Sequence, residues 1–143
     1  MLRSVDFNNL KGCGAAFGEA LKANSSLKEL GMRGCNLDAE DGKGLAGGLA
    51  VHASLTTLLL EGNSIGAEGA KALAPAIAGS SSLTSVNLSF NELGSVGAKA
   101  LIDGGAFTGS LTKLDARVNS LGSEGEAALQ DAVRSKEGFE LLI

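Results

Sequence analysis

Four leucines, Leu27, Leu55, Leu83 and Leu111, recur with a constant 28-residue period, and Phe139 falls on the next expected position. The same run of apolar positions follows each leucine. Leu30, Leu58, Val86 and Leu114 come first, then Met32, Leu60, Leu88 and Ala116, then Leu37, Ile65, Leu93 and Leu121. Around Leu58-Leu59-Leu60 the period is two, that of a short strand whose alternate side chains point to opposite faces. A glycine-containing turn comes next, and within 67–78 Ala70, Leu73, Ala74 and Ile77 recur at helical spacing. Each unit therefore reads strand, turn, helix, return loop. A single copy can arise by chance, but a sustained period fixes the architecture: a lone unit exposes apolar faces on its strand and its helix, and only stacked neighbours cover them.

The repeats divide the chain, as one domain, into 1–26, 27–54, 55–82, 83–110 and 111–138, with 139–143 opening a further strand. The first unit is atypical, because the run Leu2-Val5-Phe7 reaches Leu27 in less than a full period and places Leu10 at the polar turn position. In the other units that position holds Cys35, Asn63, Asn91 and Asn119. Asparagine both donates and accepts there, which satisfies backbone groups at a buried turn; cysteine does so weakly, so the Cys35 turn is expected to be the least well bridged. Adjacent strands are ~4.8 Å apart and helices are wider, so the pattern predicts a parallel sheet on a concave side and helices on a convex one. Gly44, Ala72, Ala100 and Ala128 let the helices approach. Gly104-Gly105 should end the fourth helix early, and Pro75 should kink the third unless the helix restarts there.

The stretches "SLTTLLLEGNSIGAEGAKALAPAI" and "SLTSVNLSFNELGSVGAKAL" resemble repeats of the ribonuclease-inhibitor-like leucine-rich-repeat proteins, with the pattern L-x-x-L-x-L-x-x-N/C-x-L. That group includes the sensing ends of NOD-like receptors, tropomodulin and the Ran GTPase-activating protein. The resemblance covers nearly the whole chain. It implies an α/β leucine-rich-repeat solenoid, a right-handed βα superhelix forming a horseshoe segment, which binds other proteins through its concave face or rim and rarely carries catalysis.

Composition narrows the chemistry. The 143 residues hold five Phe and neither Trp nor Tyr, so the core is aliphatic. A net charge of −4 gives no cationic footprint for nucleic acid. No apolar run approaches the ~20 residues that cross a bilayer, and no signal peptide is evident, which points to an intracellular, cytoplasmic chain without membrane insertion. Cys13 and Cys35 read as reduced thiols.

Several motifs mimic reactive sites. Gly12-Cys13-Gly14 opens like a dinucleotide loop, but Phe17 occupies its third small position. Asp38-Ala39-Glu40-Asp41-Gly42 lacks the spacing of a calcium loop and reads as a helix start with Asp38 as the N-cap. His52, the one histidine, reads as a surface loop residue. Asn24-Ser25-Ser26 and Asn87-Leu88-Ser89 match the glycosylation pattern incidentally. No cofactor, metal site or catalytic group is expected.

The informative surface is the outward face of the strands. Asp6, Gly31, Leu59, Asn87 and Asp115 form its expected central column, Asn8, Arg33, Glu61, Ser89 and Arg117 a flanking one, and Asn9, Gly34, Gly62, Phe90 and Val118 the loop edge. Leu59, Phe90 and Val118 are apolar where polar residues would suffice, and Arg33, Glu61 and Arg117 rim them, the composition of a protein-binding spot. The competing role for Phe90 is to cover the next repeat. Neither end resembles a polar cap, which is consistent with a piece of a longer solenoid, with ends docked on other subunits of an assembly, or with a last strand that caps itself. The leading expectation is a module binding another protein; the alternatives are an accessory subunit held by its ends and helices, and a GTPase-activating regulator.

Overall fold

Leu30, Leu58, Val86, Leu114 and Leu141 each sit at the centre of a three-residue strand, and the first four are buried while their strand neighbours are largely half-exposed. In the computed structural model, which describes residues 2–143, these strands form a parallel sheet of six in chain order. They are β1 (Leu2–Ser4), β2 (Glu29–Gly31), β3 (Thr57–Leu59), β4 (Ser85–Asn87), β5 (Lys113–Asp115) and β6 (Glu140–Leu142). The helices α1 (Gly14–Ala23), α2 (Ala39–Leu49), α3 (Gly66–Gly79), α4 (Gly94–Asp103) and α5 (Gly122–Val133) alternate with them and pack each on its sequence neighbour. The result is an α/β leucine-rich-repeat solenoid.

The inner register is strict. Thr57 stands opposite Glu29 and Ser85, and Lys113 opposite Ser85, each one full period away. Both outer steps are one residue shorter: Leu2 pairs with Glu29, and Glu140 with Lys113. This corrects two expectations. Phe139 aligns with Thr112 rather than Leu111, so Leu141 becomes the inward residue of the last strand. In the first unit Arg3, rather than Val5, pairs with Leu30 in the central strand column, and the turn residue is Asn8 instead of Leu10. Asn8 Nδ2 donates to the carbonyls of Val5 (2.7 Å) and Asp6 (3.2 Å), the same backward pattern that Asn63 makes to Leu60 and Glu61.

The core runs unbroken between the layers, with Leu45, Leu73, Leu101 and Leu129 meeting the strand leucines from the helix side. α4 ends at Asp103, before Gly104-Gly105. Beyond it Phe107 enters the core and meets the Phe139 ring edge-on at 5.7 Å, with the Lys136 ammonium 5.9 Å from the centre of Phe139. α3, by contrast, continues through Pro75 as one helix of 14 residues. α1 packs directly on α2, where Gly14 and Gly18 face Gly44 and Gly48. A Cβ at Gly18 would collide with the Gly44 carbonyl, and one at Gly48 with the Gly18 carbonyl, so no other residue fits this contact.

Asp41 fastens the same two helices at their starts. Its buried carboxylate accepts from the backbone N–H of Gly12 (3.1 Å), Gly14 (2.7 Å) and Asp38 (3.1 Å). Asp38 in turn caps α2 by accepting from Glu40 and Asp41. In the Gly12-Cys13-Gly14 stretch that opens like a dinucleotide loop, the Gly12 and Gly14 N–H groups are thus occupied by a carboxylate from the next repeat and that of Cys13 by the Leu10 carbonyl.

Candidate functional site

The turn after each strand sets the geometry of the outer rim. Asn91 Oδ1 accepts from Ile65 N (3.2 Å), while Nδ2 donates to the carbonyls of Leu60 (2.8 Å), Leu88 (3.2 Å) and Ser89 (3.1 Å). Asn63 and Asn119 repeat the arrangement one unit away on either side. At Cys35 the thiol only donates, to Val5 O (3.3 Å) and Arg33 O (3.4 Å), and it accepts nothing from the described residues of the first repeat, which makes it the weakest rung of the ladder.

This ladder forces the chain into a tight turn whose first residue has a left-handed backbone in every unit. The column is Phe7 (φ 60°), Gly34 (58°), Gly62 (70°), Phe90 (55°) and Val118 (54°). The backbone N–H of each of the first four donates to the carbonyl of Arg33, Glu61, Ser89 or Arg117, one unit on, which places Phe7 and not Asn9 at the loop edge. Glycine adopts this conformation freely, whereas any other side chain costs about 1 kcal/mol or more. Burial does not offset that cost here, since Phe7 is 82% exposed, Phe90 52% and Val118 64%.

The charged residues of the flanking column are engaged with one another, and Asp6 replaces Asn8 as its first member. Asp6 lies over Gly31 and accepts from Arg33 N (2.7 Å) and Nη1 (3.1 Å). Burial works to raise the Asp6 pKa, but the Arg33 backbone N–H, the Ser4 hydroxyl and the guanidinium outweigh it and hold it below 3.8. Arg33 Nε also stands 3.9 Å from Glu61, whose other neighbour is Asn87 Nδ2 at 3.3 Å. Further along, Arg117 forks onto the buried Asp115 through Nε (3.0 Å) and Nη2 (2.6 Å). Leu59 is half-buried between Gly31 and Asn87 in the central column, whose first member is Ser4 rather than Asp6, while Phe90 and Val118 occupy neighbouring positions on the rim.

The return loops carry their own ladders. Ser54, Ser82 and Ser110 each donate to two carbonyls of the preceding return loop, and Thr56, Thr84 and Thr112 each to one. His52 belongs to this system and is buried, contrary to its reading as a surface residue. Its Nδ1 accepts from Ser54 N (3.3 Å) and Leu55 N (3.0 Å), a task that Asn24 and Ser80 perform in the units beside it. Nδ1 is therefore unprotonated, and the buried Nε2 carries the proton without a partner among the described residues.

Burial, with the nearby Lys28 charge, lowers the His52 pKa below 6.5. The folded state thus prefers neutral His52. Its contribution is complete above pH 6.5 and declines as pH falls toward the lowered folded value. Urea midpoints of the wild type should fall across that window more steeply than those of His52→Asn, which keeps an acceptor and does not titrate; parallel curves would refute the assignment.

The leucine rich repeat family pattern matches residues 23–46, 51–74 and 79–101. No sequence among curated proteins matches the chain. The solved structures that share its fold include domains of leiomodin-1 and tropomodulin. Leiomodin-1 actin-binding site 2 superposes with a TM-score of 0.70 at 20% identity, covering 92% of this chain and 78% of that one. The tropomodulin C-terminal domain of Caenorhabditis elegans gives 0.71 at 16% identity, covering 93% and 83%.

Proposed function

Because this chain belongs to the leucine-rich-repeat family, we propose that it is a non-catalytic protein-binding module whose partner docks on the outward sheet face and its rim through Leu59, Phe90, Val118, Arg33, Glu61 and Arg117. The observation that carries this reading is the rim itself. Phe90 and Val118 stand where the backbone calls for glycine and where packing gives them little, and conformationally costly side chains held in solvent are a signature of sites kept for binding. Exposed Arg117, oriented by a buried carboxylate, is pre-ordered to join them.

Phe90→Gly/Val118→Gly tests the reading without threatening the fold, because glycine relieves the left-handed strain at both positions. Its melting temperature should equal or exceed that of the wild type, while affinity capture from lysate should lose the specific partner. Monomeric actin is the first purified partner to try, since the leiomodin-1 domain of the same fold is an actin-binding site. Capture of the same partner by wild type and double variant would remove the rim from the interface. A second reading, an accessory subunit held by its ends, draws on the apolar hollow beside Arg3 that Val5, Phe17, Leu21 and Leu30 line at the first repeat; it predicts capture that survives the rim variant and fails with Phe17→Glu.

A further inference from the structure

Within the rim column, Gly62 is the one position that is open above. A Cβ there would meet only the Gly34 backbone, at 3.7 Å and 3.9 Å. On one side the Phe7 ring lies over Gly34, close enough to contact a Cβ placed on it. On the other the chain rises again at Phe90, the next member of the column. Strands ~4.8 Å apart make this a notch about two repeat spacings wide, floored by bare backbone and ended by two exposed phenylalanines.

Carboxylates stand along its two flanks. Glu61, adjacent to Gly62, is half-exposed on the sheet side; Glu92 is exposed on the helix side, where it accepts from the Ser64 hydroxyl at 3.4 Å. The nearest cations are committed elsewhere: Arg117 to Asp115 at 2.6 Å, and Arg33 to Asp6 at 3.1 Å with Glu61 only at 3.9 Å. Across this part of the face Asp6, Glu61, Glu92 and Asp115 outnumber Arg33 and Arg117, while Lys113 is taken by Glu140.

We propose that the notch over Gly62 receives an arginine side chain of a partner protein, its guanidinium between Glu61 and Glu92 and its stem or face against Phe7 and Phe90. The chemistry selects this occupant. Two flanking carboxylates favour a cation, and aromatic walls favour the flat, weakly hydrated guanidinium over a compact ammonium. The open backbone floor admits a long side chain, which Phe or Val at position 62 would exclude. This assignment rests on the rim being a docking edge and names the group that edge recognises.

The test is an NMR titration of the full chain with a blocked Ala-Arg-Ala tripeptide, with its citrulline counterpart as the uncharged control. Saturable shifts are expected at the amides of Gly34, Gly62 and Phe90, with an affinity of about millimolar order. Glu61→Gln/Glu92→Gln should weaken binding by about fivefold and flatten its salt dependence. Gly62→Phe should abolish it with the fold intact, since Phe7 and Phe90 already adopt the same backbone at the equivalent position. Equal shifts with citrulline, shifts scattered over all acidic surfaces, or undiminished binding to Gly62→Phe would each overturn the proposal. If the tripeptide fails while Phe90→Gly/Val118→Gly still loses its protein partner, the docking edge stands and only the arginine assignment falls.

Discussion

Asn91→Ala should destabilise the protein by about 3 kcal/mol, a large share of the ~5–15 kcal/mol that holds a typical domain together. The carboxamide is fully buried and serves one N–H and three carbonyls across two units. Removing it strands Ile65 N away from water, at about 1–3 kcal/mol for an unpaired buried group, and takes from the Leu60, Leu88 and Ser89 carbonyls one of the donors each of them shares. Cys35→Ala, at the equivalent turn, removes only a thiol donor and should cost about 1 kcal/mol. Urea denaturation of the two variants decides the matter. Because stacked repeats are coupled chiefly to their neighbours, Asn91→Ala should also lower the m-value as the two halves of the solenoid lose cooperativity. Equal midpoints for the two variants would mean that the ladder contributes little beyond its backbone turns.

The second large effect is expected at Asp41. Asp41→Asn keeps the shape but turns one acceptor into a donor. One of the carboxylate oxygens serves Gly12 and Asp38 and the other Gly14, so an amide in either orientation faces an N–H group it cannot satisfy. The charge that complements the starts of α1 and α2 is lost as well. A destabilisation of about 2–3 kcal/mol follows from one stranded buried donor and that loss. It should be local: amide exchange at Gly12 and Gly14 should accelerate while the amides of β4 and β5 keep their protection. Uniform acceleration along the chain would show that Asp41 acts on global stability rather than as the clasp of the first repeat.

Both residues also mark how far the sequence carries. Asn91 is visible as one of four polar residues at a fixed place in a 28-residue period, and its role follows from what asparagine can donate and accept. Asp41 is visible only as part of a capping signature, since nothing in a linear pattern says that its carboxylate also reaches Gly12 and Gly14 of the preceding unit. His52 is similar. A polar residue in a loop reads as surface, although Asn24 and Ser80, one period to either side, are likewise acceptors and offered the one available hint.

The repeat period, the inward leucine columns and the turn ladder are thus properties of the sequence alone, because a solenoid writes each contact between neighbouring units as a recurrence along the chain. The two outer registers were decided by tertiary structure. In the first unit Arg3 takes the register position that leucine or valine holds elsewhere, so hydrophobic pattern does not fix the alignment there, and backbone pairing and the bonds of Asn8 set it. The rim was decided there too. Phe90 and Val118 read as apolar residues in a polar place, but only the folded turn reveals a left-handed backbone beneath exposed side chains, and at Phe90 the turn is held by ladder bonds to Asn119, a full repeat away.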